Sequence, residues 1–326
     1  MENIIENNQA ISANSGNTKT GTVLVLGANG RLGQATVLAF AAAGWQVIGQ
    51  ARKPLQFAAS LNVTPLLCDA LDTTSILATL PKIDVIVHAL SPDYSRWETL
   101  LPPVTEAVIR LAKASGALLM VPGNVYNFGK ELPAMLTEAT PFVANTGKAA
   151  MRIAMEQSLM AATKEGMRCV VIRAGDFIGG TGTWLDLAIT KSLDKGVFTQ
   201  MGPDNLKHEW AYLPDLAAVF VQVAQQAHRL PAYEVLHYEG WSVTGRELQK
   251  VVENILGKPL KVKQLPWTMM KIIGLFSPLL RAVIEMKYLW QRPHQLSGKK
   301  LEKLIGKYSK SPLELALADY MPKKAA

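Results

Sequence analysis

The sequence predicts an α/β protein built on a doubly wound parallel sheet of Rossmann type, with a smaller C-terminal lobe. Three observations predict it. Short apolar, β-branched runs recur along the first half, separated by helix-length segments. A glycine-rich turn joins the first run to an amphipathic stretch. After Gly175 the regular spacing loosens and turn residues multiply.

The first run, "TVLVLGA" (22–28), shows no alternation, as expected of a strand buried on both faces. "RLGQATVLAFAAAGW" follows with helical period and a closing Gly44. "QVIGQAR", "VTPLLCDA", "IDVIVHAL", "ALLMVPGNVY" and "MRCVVIRAG" continue the strand series. Parallel neighbours need crossovers, and the helical segments supply them. Beyond Gly175, "GTGTWLDLAITKSLDKG" reads as helix and "VLHYEG" as one more strand. "TGRELQKVVENILG" reads as a helix capped by Thr244, with Glu247 completing a capping box. The division expected is a disordered polar tail over 1–20, an NAD(P)-binding domain over 21–176, and a substrate lobe made mainly by 177–326. Residues 206–240 return to the first domain.

Length and charge narrow the classes. A chain of 326 residues can bury a large core. The net charge of +8 is scattered, with several cations in the last twenty or so residues, which predicts a mild positive field rather than a nucleic-acid surface. Cys68 and Cys169 sit in strand-like runs as small buried side chains, which fits a reducing, cytoplasmic compartment. The first twenty residues lack the basic start and apolar centre of a signal peptide. The most apolar segment, "WTMMKIIGLFSPLLRAVIEMKYLW" (267–290), is broken by Lys271, Pro278, Arg281, Glu285 and Lys287, so it lacks the run of about eighteen apolar residues that a membrane span needs. Two amphipathic helices or a lid over a site account for it; surface binding to lipid is a third use.

"GANGRLG" places Gly27, Gly30 and Gly33 between strand and helix. Gly27 permits the tight turn, Gly30 lets the backbone approach a pyrophosphate, and Gly33 lets helix pack on strand. Asn29, Arg31 and Leu32 complete the loop, whose helix start offers free N–H groups to an anion. At the end of the second strand an acid would select NAD through the ribose hydroxyls. Here Gln50 and Ala51 are followed by Arg52 and Lys53. Arg52 offers a fork for the 2′-phosphate of NADP, or it is a solvated loop residue. NADP is the expected cofactor, with NAD as the alternative. Asp69 and Ala70 follow the third strand beside the adenine position, and Ala89 and Leu90 follow the fourth beside the cofactor.

These pieces together resemble the extended short-chain dehydrogenase/reductase family, which includes the NAD-dependent epimerases and dehydratases of nucleotide sugars. The resemblance runs from about Thr22 to Leu230. "GANGRLG" resembles the family's Gly-x-x-Gly-x-x-Gly loop. "VPGNVYNFG" is similar to its strand ending in Val-Tyr-Gly, with Val125 and Tyr126 matching. "RAGDFIGG" resembles the Arg-x-x-Asn-x-Tyr-Gly segment, keeping Arg173 and Gly179 with Asp176 and Ile178 substituted, and the resemblance puts Arg173, Ala174 and Gly175 beside the cofactor. "HEWAYLPDLA" resembles the segment ending in Val-x-Asp-Leu-Ala.

The resemblance implies a Tyr-x-x-x-Lys pair on a helix, in which the lysine lowers the phenol pKa while hydride passes to or from nicotinamide. Laying "EQSL" on the family's Glu-Gln puts Lys148 at the tyrosine position and Arg152 at the lysine position. In a second frame Lys148 is the family lysine and Ala144 falls where tyrosine belongs. Neither frame supplies a phenol. The hydroxyl that polarises the substrate oxygen falls near Pro122, Gly123 or Asn124, of which only Asn124 donates, through its amide. The chain is thus similar to an atypical member.

Lys148 and Arg152 share one helix face, where like charges repel unless acids such as Glu156 screen them or an anion lies between. Lys148 is a catalytic amine, an anion-orienting cation, or a surface residue; Arg152 holds the nicotinamide ribose. Tyr126 is a substitute acid or a packed strand-end tyrosine. Asp93, Tyr94 and Trp97 line the pocket from the loop after the fourth strand, and Trp184, His208 and Trp210 face it from later loops, His208 alternatively as a hydrogen-bonded loop residue. No residue is assigned to a metal. The expectation is an oxidoreductase or epimerase-like enzyme acting on a small carbonyl or hydroxyl substrate, with homodimerisation through the helices flanking the site implied by the family. The alternative is a catalytically silent NADP(H)-binding sensor or assembly protein.

Overall fold

The computed structural model describes residues 20–55, 57, 63–80 and 82–322; of the expected tail over 1–20, all but Thr20 lies outside them. Seven strands form the main sheet: β1 (Thr22–Leu26), β2 (Gln46–Ala51), β3 (Val63–Leu67), β4 (Val85–His88), β5 (Leu118–Gly123), β7 (Arg168–Arg173) and β11 (Tyr233–His237). Their order is β11-β7-β5-β4-β1-β2-β3, and every pairing is parallel. Order reverses at β1 and β4, so the carboxyl ends of these two strands diverge into a crevice, where doubly wound sheets take ligands.

Alternate residues of β1 enter two different cores, which is why its sequence shows no polar face. Val23 and Val25 pack with Val37 of α1 (Arg31–Ala42) and Phe220 of α5 (Leu213–Gln225). Leu24 and Leu26 pack on the other face with Ile76 of α2 (Thr73–Thr79), Val108 and Leu111 of α3 (Trp97–Ser115), and Leu159 of α4 (Gly147–Thr163). Thr146 caps α4 by accepting from the Ala149 amide at 3.0 Å.

The remaining strands form small sheets: β12 (Trp241–Thr244), β10 (Lys207–Tyr212) and β8 (Asp176–Ile178) in one, β13 (Lys261–Gln264) with β9 (Val197–Gln200), and β14 (Gln295–Leu296) with β6 (Met135–Leu136). Helix α6 (Gly245–Leu256) carries the expected capping box between Thr244 and Glu247. Two further helices, α7 (Trp267–Gly274) and α8 (Pro278–Glu285), fill the stretch expected to hold an amphipathic pair.

Two expectations need correction. The segment 180–196 is not one helix: a π-turn at Leu185–Ile189 and a 3₁₀ turn at Leu193–Lys195 are separated by irregular chain. Gly182 is left-handed at φ +79°, and Asp186 reaches back to accept from the Gly182 and Thr183 amides at 2.6 Å each. Those bonds favour a turn over a continuing helix. Cys68 is half-buried at the rim of β3, whereas Cys169 is buried in β7 as expected; both thiols are free.

Candidate active site

The glycine loop closes on itself. Gly27 is left-handed at φ +81°, its amide donates to the Gln50 side chain at 3.0 Å, and Gly30 donates back to the Gly27 carbonyl at 2.9 Å. A Cβ on Gly33 would lie 2.1 Å from that carbonyl oxygen, so only glycine lets α1 approach the strand. Helix α1 then starts at Arg31 with no side-chain cap and no acid in its first turn, leaving the amides of Arg31, Leu32 and Gly33 without helical acceptors. Ala89 abuts the loop from β4, its carbonyl 3.0 Å from where a Gly27 Cβ would stand, with Leu90 next to it. This cradle fits a pyrophosphate.

Gln50 holds the glycine turn in place, a part that inspection of the sequence missed. It is buried, and besides holding Gly27 it donates to the Cys68 carbonyl at 2.7 Å. The signal was present as an amide near the end of a strand whose other amide, Gln46, stands exposed at its start. With Gln50 turned under the loop, the exposed side chain beyond β2 is Arg52, which makes no hydrogen bond or ion pair among the described residues. Asn29 donates to the carbonyls of Lys53 and Pro54 at 3.0 and 3.2 Å, so its amide fastens the glycine loop to the segment carrying Arg52. Asp69 accepts from the Leu71 amide at 2.9 Å, and Ala70 beside it is buried. Arg31 donates to the Thr181 carbonyl at 2.7 Å, bridging the start of α1 to the loop after β8.

A second group gathers beyond β4 and β5. The hydroxyls of Tyr94 and Tyr126 lie 2.9 Å apart, and Trp97 packs beside both rings. The Lys148 ammonium stands 5.4 Å from the Tyr94 ring centre and 6.0 Å from that of Trp97. Burial pushes the Tyr126 phenol well above its ordinary value, and the neighbouring Tyr94 and Asp176 add to it; Tyr94 is raised for the same first reason. Both phenols are therefore neutral donors at physiological pH. Asp93 is spent capping the turn before Trp97, accepting from Ser95 at 2.8 Å.

The two cations of α4 are not a screened surface pair: Lys148 is 2% and Arg152 8% exposed. Each takes a different partner. Lys148 binds Glu285 of α8 through its ammonium and its backbone amide, both at 3.2 Å. Arg152 donates to the Pro122 carbonyl at 2.7 Å and keeps an unpartnered Nε. His88 is buried near Arg152, and burial with that charge pulls its pKa down to about 3. Glu285 was invisible as a partner because 137 residues separate it from Lys148.

Glu156 is taken by Arg173 rather than by the α4 cations. The pair is fully buried, with Nη2–Oε2 at 2.8 Å and Nη1–Oε1 at 3.2 Å. The Arg173 guanidinium also donates to the Asn124 carbonyl and lies 5.3 and 5.2 Å from the Phe128 and Phe142 ring centres. Its side chain is thus committed to the scaffold, and only the backbone through Ala174 and Gly175 remains to face a cofactor. Asn124 in turn accepts from the Tyr126 amide at 3.0 Å, which fixes the turn that aims the phenol.

Trp184, His208 and Trp210 gather around a residue not singled out from sequence, Trp290. His208 stacks on the Trp290 ring at 4.0 Å and bonds Asp176 at 2.8 Å. Trp184 meets Trp290 edge-on, and Trp210 is fully buried in the core. His208 and Trp210 border a cavity of about 30 Å³ with Gln200, Met201 and Leu248, room for a water or two. The six expected substrate residues therefore split: Tyr94 and Trp97 stand beside Lys148, Asp93 caps the turn that carries them, and three gather around Trp290.

Residues 23–237 match the model of the NAD dependent epimerase/dehydratase family. Similar solved structures include the Bordetella bronchiseptica enzyme WbmH in complex with NAD+ (16% identity, TM-score 0.68, covering 92% of this chain and 96% of that one). They also include the UDP-Glc/GlcNAc 4-epimerase of Campylobacter jejuni (14%, 0.71, 92% and 98%) and the L-threonine dehydrogenase of Clostridium difficile (16%, 0.72, 92% and 96%). At such identities they show a common fold. No curated protein matches the chain in sequence.

Proposed function

The chain belongs to the NAD-dependent epimerase/dehydratase family, and on that premise we propose that it is an atypical extended short-chain oxidoreductase or epimerase-like enzyme that prefers NADP and acts on a small carbonyl or hydroxyl substrate. The observation that carries the NADP preference is the end of β2. Gln50 is turned inward, no acid follows it, and Arg52 stands exposed beside a loop anchored by Asn29. A guanidinium there meets a 2′-phosphate bidentately. The α1 cradle with Gly27, Gly30 and Gly33 would hold the pyrophosphate, and Ala89, Leu90, Ala174 and Gly175 would border the rest.

When bound, the nicotinamide supplies hydride transfer. The chain's own part is proton handling. Tyr126 replaces the missing helix tyrosine, its neutral phenol donating toward the substrate oxygen while Tyr94 relays the proton from outside. Lys148, held by Glu285, supplies positive charge beside these phenols, and Arg152 orients the ribose. Asn124 positions Tyr126 through its turn. Trp184, His208 and Trp210 shape the far wall. We further assign 177–326 mainly to a substrate lobe, with 206–240 returning to the dinucleotide domain, a division supported by β11 and α5 packing on the main sheet. A cytoplasmic homodimer through α3 and α4 completes the proposal, supported by exposed Met160 on α4. Among the described residues no helix is long and apolar enough to cross a membrane.

Titration of the purified protein with NADPH and NADH, followed by tryptophan quenching, tests this. Tighter binding of NADPH, with the preference reduced about tenfold or more in Arg52→Ala, is expected. Equal affinities in the wild type would overturn the NADP assignment. With a carbonyl substrate in hand, Tyr126→Phe should lower kcat by about a hundredfold or more and leave NADPH affinity unchanged.

A further inference from the structure

Helices α7 and α8 form a hairpin anchored at both ends. Trp267 is buried and donates to the Met201 carbonyl at 2.7 Å, and Glu285 pairs with Lys148. Between these anchors the outer face is apolar and uncovered: Met269, Ile272, Ile273, Leu275, Phe276 and Leu279 are all exposed, Leu275 by 69% and Phe276 by 88%. Six of the fifteen large apolar side chains exposed among the described residues fall within these eleven positions. Single exposed leucines are ordinary on a protein surface; a contiguous cluster with a phenylalanine at its tip is not.

Along this stretch of chain the exposed charge has one sign, although the turn packed against α8 adds Asp93 and Glu98 beside Arg96. Lys271 and Arg281 are exposed on the hairpin, and Lys258, Lys261, Lys263 and Arg292 are exposed in the chain that leads into and out of it. Glu285 is the one acid between positions 258 and 292, and it is turned inward to Lys148. An apolar tip flanked on its two helices by Lys271 and Arg281 matches the boundary of an anionic bilayer, where acyl chains lie beneath phosphate headgroups. A second copy is a poor occupant, since a two-fold contact through this face would set the cations of one copy against those of the other. Each helix has eight residues, about 12 Å of length, so the hairpin lies in the interface and does not cross it.

We propose that the α7–α8 hairpin docks the protein on the surface of an anionic lipid bilayer, with Leu275 and Phe276 entering the acyl boundary and the flanking lysines and arginines meeting headgroup phosphates. The inner side of α8 serves the site through Glu285 while its outer side serves the membrane.

Co-sedimentation of the full chain with phosphatidylcholine vesicles, with and without phosphatidylglycerol, tests the proposal. Binding to the anionic vesicles, weakened by salt, is expected, and Leu275→Glu/Phe276→Glu should bind about a hundredfold more weakly. Should that variant fail to melt like the wild type, Lys271→Glu/Arg281→Glu replaces it, with loss of binding to the anionic vesicles expected. Sedimentation with neither vesicle, undiminished binding of a folded variant, or a wild-type dimer in light scattering that the variants break without any vesicle binding would each overturn the proposal.

Discussion

Glu156→Gln is the sharpest probe of how the scaffold holds the site. The substitution keeps the shape of the side chain and removes only its charge. Arg173 is 0% exposed, and Glu156 is its counter-ion at 2.8 and 3.2 Å. The variant leaves a buried guanidinium with the Asn124 carbonyl and two aromatic faces but no anion. Breaking a buried pair in this way costs about 3–5 kcal/mol. At roughly 2 °C of melting temperature per kcal/mol for a chain of this size, the fall is about 6–10 °C. Thermal and denaturant unfolding measure it, and dinucleotide titration supplies a second readout, because Arg173 fixes Asn124 and Asn124 fixes the Tyr126 turn. Glu156→Leu combined with Arg173→Met should recover most of the loss, since no unpaired charge remains. A loss below about 1 kcal/mol in Glu156→Gln would refute the reasoning. So would an Arg173→Met variant that melts normally yet binds dinucleotide poorly, since the guanidinium would then belong to the cofactor.

Two further outcomes follow from the same geometry. Gly33→Ala puts a methyl 2.1 Å from the Gly27 carbonyl, backbone against backbone; it should cost about 1–3 kcal/mol and abolish dinucleotide binding, and a variant that binds normally would show that the loop is not the cradle. The pH dependence of stability has a definite sign. Burial pulls His88 and His237 down to about 3, with Arg152 and Arg173 adding to it, and His294 falls well below its ordinary value through burial and His208. The unfolded chain takes up these protons below about pH 6.5 and the folded one does not, so stability drops as pH falls from 6.5 toward 3. Glu209, raised to about 7 by burial, opposes this, because its contribution is lost as pH rises from 4.5 to 7. The histidines outnumber it, and His88→Leu should flatten the acid limb by about 1.4 kcal/mol per pH unit; superimposable pH profiles of melting would contradict the assignment.

What the sequence by itself determined is whatever depends on neighbours in the chain. Unalternating runs such as "TVLVLGA" announced strands buried on both faces, and Gly27, Gly30 and Gly33 announced a tight turn with a helix packed close to it, because strand burial and turn geometry are local properties. The capping box at Thr244 and Glu247 was legible for the same reason. The glycine turn and the family were therefore readable without coordinates. Partner choice was not. Lys148 and Arg152 share a helix face, and spacing alone left a choice between screening by acids such as Glu156 and an anion between them; folding brought Glu285 to Lys148 and Arg173 to Glu156. The Tyr94–Tyr126 hydroxyl contact and the gathering of Trp184, His208 and Trp210 on Trp290 likewise join residues far apart in sequence, His208 and Trp210 from strand β10 rather than from the loops expected. Burial is what decides between such candidates: a desolvated charge must find the counter-charge that three-dimensional packing delivers, and no pattern along the chain records which one arrives.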